Sequence, residues 1–146
     1  MNQNILDKIK ELFGEMIEEI KTPAERRIFL SVSVDNLTEA IKKIRDELGF
    51  YHLSTISGVD TVNNFEILYH FANNQVVLTL RVKVQKENPE LPSICGFIPG
   101  AILYEREIQD ILGIRVKNIP DSRPLILPDN WPAGNYPLRK DWQYQA

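Results

Sequence analysis

Residues 65–84 read FEILYHFANNQVVLTLRVKV, and their alternation decides the fold class. Phe65, Ile67, Tyr69 and Phe71 recur at every second position, as do Val76, Leu78, Leu80, Val82 and Val84 beyond Asn73-Asn74. A period of two puts each set on one face of a strand. Asparagine tolerates the left-handed backbone of a tight hairpin, so the two runs are expected to pair antiparallel across Asn73-Asn74. Phe50 to Ile56 is expected to add a third strand.

Upstream the period is helical. Ile5, Leu6, Ile9, Leu12, Phe13, Met16, Ile17 and Ile20 share one side of an amphipathic helix over 5–20, stopped at Thr22-Pro23. That side suits either the core or a docking surface. Ile28, Leu30, Val32 and Val34 alternate as a half-buried strand. A second helix then carries a stripe of Leu37, Ala40, Ile41, Ile44 and Leu48. Asn36 and Glu39 make a capping-box-like start, and Gly49 ends it.

Downstream of Lys86 the chain is irregular, broken by Pro89, Pro92 and Pro99. PGAILYEREIQDILG, residues 99–113, then reads as a short helix between a proline suited to the first turn and a glycine suited to the left-handed position after the last. Ala101, Tyr104, Ile108, Ile111 and Leu112 gather on a core-facing side. Glu105, Arg106, Glu107 and Asp110 lie outside it, mixed with Ile102 and Leu103. They are read either as a solvated face or as charges that meet the C-terminal tail, a partner or a substrate. Ile114 to Lys117 is expected to form a short strand.

Five of the nine prolines, at 120, 124, 128, 132 and 137, fall in the remainder. They forbid a helix and favour a stiff, extended path. The same stretch carries Leu125, Ile126, Leu127, Trp131, Tyr136, Leu138 and Trp142. So apolar a segment needs a surface to lie on. The chain therefore divides into a two-layer α+β domain over 1–119, with a mixed, mainly antiparallel sheet packed by helices, and an extended docking tail over 120–146.

Composition is that of an ordinary globular domain: 146 residues, 43% hydrophobic, 25% charged, net charge −3. The negative balance argues against nonspecific nucleic-acid binding. No run approaches the roughly 18 apolar residues of a membrane-spanning helix, and charges interrupt the N-terminus, so neither a transmembrane helix nor a secretory signal is expected. A single cysteine, Cys95, precludes an intrachain disulfide and reads as a small buried residue.

Phosphate-binding loops, nucleophile elbows, HExxH and CxxC are all missing. His52 and His70 are the conventional bases, and both fall in expected strands. Two rival readings follow. One is a carboxylate-dependent hydrolase built on Asp60, His70 and Glu107, although Glu105 and Glu107 project to nearly opposite sides of their helix. The other is a single-stranded nucleic-acid binder using Phe65, Tyr69 and Phe71.

Five segments, in order, resemble a known family: Gly58-Val59-Asp60, FEILYH at 65–70, Leu91-Pro92-Ser93, EREIQDILGI at 105–114 and PLRKD at 137–141. The chain from about Phe50 to Trp142 is similar to the C subunit of respiratory NADH:quinone oxidoreductase (complex I), a family that includes the equivalent subunit of energy-converting [NiFe]-hydrogenases. The resemblance implies a cofactor-free scaffold on the cytoplasmic side of the membrane, held there only through partner subunits. It implies docking onto a large catalytic subunit beside iron–sulfur subunits. The clusters, with a [NiFe] centre or a flavin, would sit in those other chains, and nucleic acid is no partner. Partner-binding or tail-clamping roles then fall to Glu105, Arg106, Glu107, Asp110, Arg123, Trp131, Pro137, Leu138, Arg139, Lys140 and Asp141. Structural roles fall to Gly58, Asp60, Pro92 and Gly113.

Overall fold

In the computed structural model, which describes residues 2–144, the chain runs α1 (Asn2–Phe13), β1 (Glu19–Ala24), β2 (Arg27–Ser31), α2 (Leu37–Lys42), β3 (His52–Asp60), β4 (Asn64–Ala72), β5 (Val77–Gln85), β6 (Glu90–Pro92), α3 (Ile102–Leu112) and β7 (Arg115–Lys117). The strands β1 to β5 form one sheet in the order β1-β2-β5-β4-β3. Only β2 and β5 pair in parallel; the other three pairings are antiparallel. The expected three-stranded antiparallel run is therefore present as β3-β4-β5.

Register follows the alternation. Phe65 lies opposite Val84, Ile67 opposite Val82, Tyr69 opposite Leu80 and Phe71 opposite Leu78. These eight side chains are at most 5% exposed and merge with Ile9, Phe13, Leu37, Ile41, Ile44, Ile108 and Leu112 of the helical layer. The turn differs from expectation. Neither asparagine is left-handed; among the described non-glycine residues only Asn118 has positive φ. Asn73 instead accepts the Gln75 and Val76 N–H groups on Oδ1 at 2.8 and 2.7 Å, so its side chain substitutes for backbone.

The N-terminal helix stops seven residues early. Gly14, at φ +51°, opens a 3₁₀ turn, and the following residues build the edge strand β1. Ile9 is fully buried, so α1 packs inward. The capping box at Asn36 does not form, because a 3₁₀ turn over Val34–Asn36 leads into α2 with no side-chain cap. The helix continues as a π-helical stretch over Lys43–Glu47 and ends at Gly49, φ +75°.

Pro92 lies in β6, which pairs in parallel with β7 as a separate two-stranded sheet. The expected helix at 99–113 is present as a 3₁₀ turn over Pro99–Ala101, then α3, then Gly113 at φ +72°. Beyond β7 the chain forms no helix or strand among the described residues. It bends through i→i+3 turns closed by Trp131, Asn135, Arg139 and Trp142 rather than following a straight path.

Candidate partner-docking site

The helix α3 divides its charges among different surroundings. Glu105, placed by sequence among the tail-clamping residues, is fully buried on the inner side. It accepts Ser93 Oγ at 2.6 Å, the Ile94 N–H at 2.8 Å and Cys95 Sγ at 3.0 Å. It therefore ties α3 to the loop after β6 and touches neither tail nor solvent. Both carboxyl oxygens are thereby hydrogen-bonded, as burial of a polar group requires. Burial also pushes the Cys95 thiol up to about 11. That suits an inert core residue.

Arg106 and Asp110 face the tail, and both grip its backbone. Arg106 donates from Nε to the Arg123 carbonyl at 2.9 Å and from Nη2 to the Pro124 carbonyl at 3.1 Å. A single oxygen of Asp110, Oδ2, accepts the N–H groups of Leu125, Ile126 and Leu127 at 3.2, 2.7 and 2.8 Å. Three successive amides converging on one carboxylate oxygen make an anion-binding concavity in which the anion comes from the chain itself. Among the described residues the Arg123, Arg139 and Lys140 side chains make no ion pair with the carboxylates of α3. Arg123 turns to Asp121 at 2.6 Å. Its guanidinium holds the Asp121 carboxyl well below the usual carboxylate range.

The remaining tail contacts surround the end of α3. Gly113 is left-handed, and a Cβ there would come within 2.4 Å of the Tyr136 ring. Arg139 donates from Nε to the Leu112 carbonyl at 2.6 Å. Its guanidinium lies 4.5 Å from the Tyr136 ring centre and 5.2 Å from that of Phe65. A cation at exposed helical carbonyls, between two aromatic faces, is favoured on both counts. Leu138 donates its N–H to the Ile111 carbonyl at 3.2 Å. Pro137 is half-buried, while Asp141 is exposed.

Asp60 anchors the tail from the sheet. Only 6% exposed, it accepts the Lys140 N–H on Oδ2 at 2.8 Å, and the Lys86 ammonium lies against Oδ1. Burial by itself would raise this carboxyl, but Lys86 and the Lys140 amide together hold it below its usual range. Gly58, two residues earlier, lies under the helix: a Cβ there would meet Leu112 Cδ1 at 2.4 Å, so that side chain would have to shift.

The rival constellations do not assemble. Asp60 shares the inner face with Phe65, its partner in the ladder, whereas His70 projects from the outer face between Ser57 Oγ at 3.3 Å and Thr79 Oγ1 at 3.1 Å. Phe65, Tyr69 and Phe71 are at most 1% exposed and present no ring to a nucleobase. Among the described residues no cluster of three His, Cys, Asp or Glu side chains is placed to hold a metal ion, and no helix is long and apolar enough to cross a membrane.

Residues 30–146 match the family described as "Respiratory-chain NADH dehydrogenase, 30 Kd subunit". The chain belongs to that family. It is 34% identical over 145 residues to the C subunit of the F(420)H(2) dehydrogenase of Methanosarcina mazei, covering 97% of this chain and 91% of that protein. It is 30% identical to the beta subunit of the membrane-bound hydrogenase of Pyrococcus furiosus, covering 94% and 83%. Its fold superposes with a TM-score of 0.86, at 22% identity, on a chain of the membrane-bound sulfane sulfur reductase, an archaeal respiratory membrane complex, covering 97% of this chain and 85% of that one.

This member of the 30 Kd subunit family carries an aromatic cluster at the end of its tail. Trp131 and Trp142 stack at 6.2 Å, Tyr144 meets Trp142 edge-on at 6.4 Å, and Trp131 Nε1 donates to the Asn135 carbonyl at 2.8 Å. Between α3 and the tail lies a recess of about 340 Å³ bordered by Arg106, Asp110, Trp131 and Tyr136. Sequence reading missed three contributors. Tyr136 was read only as part of the tail's apolar content, and Ser93 and Gln109, whose Oε1 accepts the Val116 N–H at 2.9 Å, only as members of family-like segments, with no role given to any of the three.

Proposed function

We propose that this chain is a non-catalytic structural subunit of a membrane-bound, energy-conserving oxidoreductase. It docks onto the large catalytic subunit, next to iron–sulfur subunits, and helps assemble the hydrophilic electron-transfer arm. The observation that carries this reading is how the tail is fastened. Asp60, Arg106 and Asp110 hold its main chain, and the tail's own Arg139 donates to the Leu112 carbonyl of α3. That leaves Leu125, Ile126, Leu138 and Tyr144, each at least 40% exposed, directed away from the domain. A shaped apolar surface of this kind is what a neighbouring protein buries.

Family membership and the relatives, a dehydrogenase subunit and a membrane-bound hydrogenase subunit, support the same assignment. The placement that follows is peripheral, on the cytoplasmic side, with clusters and any flavin or [NiFe] centre in other chains. Residues 1–119 are the folded domain and 120–146 the docking element. Truncation after Pro128 tests it. The shortened chain is expected to melt cooperatively and to lose the large subunit on co-purification. Retention of that subunit by the truncated chain overturns the assignment.

A further inference from the structure

Of the charges on α3, Glu105 is used by the loop after β6, and Arg106 and Asp110 by the tail. Glu107 remains. It is half-buried, and among the described residues it takes part in no hydrogen bond or ion pair. Leu103, Glu107 and Ile111 stand at i, i+4 and i+8, so they line one ridge of the helix. Leu103 is 51% exposed at one end, and Leu138, tied to the Ile111 carbonyl, is 57% exposed at the other. One flank of α3 is closed by the tail and another by β3, where Leu112 packs over Gly58. Along this ridge Leu103 is exposed, Glu107 is half-buried without a partner among the described residues, and Ile111 packs partly against the core. The open surface is therefore Leu103, the edge of Glu107 and the neighbouring Leu138.

A carboxylate bordered by leucine and isoleucine is poorly hydrated, and it gains most from a cation whose aliphatic stem can cover the apolar neighbours. We propose that the Leu103–Glu107–Ile111 ridge, extended by Leu138, is the seat of the large subunit. It receives an arginine or lysine that lays its stem along the leucines and its charge on Glu107. This rests on the assembly role proposed above and names the face and the chemistry of the contact.

The test compares the wild type with Glu107→Lys, Glu107→Gln, Leu103→Glu and the Pro128 truncation, recovering the intact complex through a tag on this chain and quantifying large subunit per tagged chain. Charge reversal and Leu103→Glu are expected to lower that ratio by about tenfold, and Glu107→Gln by less. The isolated variants are expected to melt with the wild type. Hydroxyl-radical footprinting of the wild type supplies a readout free of variants: Leu103 and Leu138 are expected to be protected in the complex and reactive in the free chain. Normal recovery of Glu107→Lys, or equal reactivity of the leucines, overturns the ridge assignment even where truncation abolishes assembly. A Glu107→Lys chain that melts well below the wild type overturns it also, because the carboxylate is then engaged internally. Assembly that survives truncation is the separate failure of the tail's role.

Discussion

Asp60, the last residue of β3, accepts the backbone N–H of Lys140 at 2.8 Å, joining positions 80 residues apart. This one bond closes the tail onto the sheet. Removing it by Asp60→Ala also strands the Lys86 ammonium, so a loss of about 1–3 kcal/mol in urea unfolding is expected. Amide exchange at 137–144 is expected to accelerate in the same variant.

The folded-state carboxyl of Asp60 is held below its ordinary value, so the unfolded chain binds the proton more readily. Its contribution to stability is therefore full above the unfolded value of about 4 and is lost as pH falls through the lower folded value. Melting temperatures from pH 7 to pH 2 are expected to fall less steeply in Asp60→Asn than in the wild type.

Arg139 belongs to the internal fold as much as to any interface. Sequence reading gives it a partner-binding or tail-clamping role, and the first alone would leave the isolated chain scarcely affected by Arg139→Glu. With its guanidinium stacked on Tyr136 and Phe65 and its Nε on the Leu112 carbonyl, reversal instead sets a carboxylate at the negative end of α3. A destabilisation of about 2 kcal/mol is expected from chemical denaturation, with Arg139→Lys recovering part of it.

Glu105 is the buried carboxyl of α3. Glu105→Ala leaves the buried Ile94 N–H and the half-buried Ser93 Oγ without their acceptor, and a buried donor so stranded costs about 1–3 kcal/mol. The variant is expected to lose cooperative unfolding or to melt far below Glu105→Gln, which keeps one acceptor oxygen. Circular dichroism melts of the two side by side decide this.

The sheet was legible where one face is buried and the other is not. Phe65 to Val84 announces itself by strict alternation, whereas β1 is hidden because four of its six residues are exposed and Pro23 interrupts it. Met16, Ile17 and Ile20 continue the helical stripe of α1 in sequence, and only the left-handed Gly14 shows that the chain has turned. The charged helix was found with its ends correct, yet not the fate of each charge. Whether Glu105 points in or out depends on donors supplied by Ser93 and Cys95 on a separate loop, and no periodicity encodes that. The tail's apolar content called for a surface. Most of its fastenings are main-chain N–H and C=O groups, which side-chain composition does not record.

Because Asp110 holds three peptide nitrogens, its hold is indifferent to what the side chains at 125, 126 and 127 are, provided none is proline. The outward surface of the strap can thus be rewritten residue by residue to suit a different neighbour while the buckle beneath it stays fastened. One scaffold can in this way be refitted to several machines without being refolded.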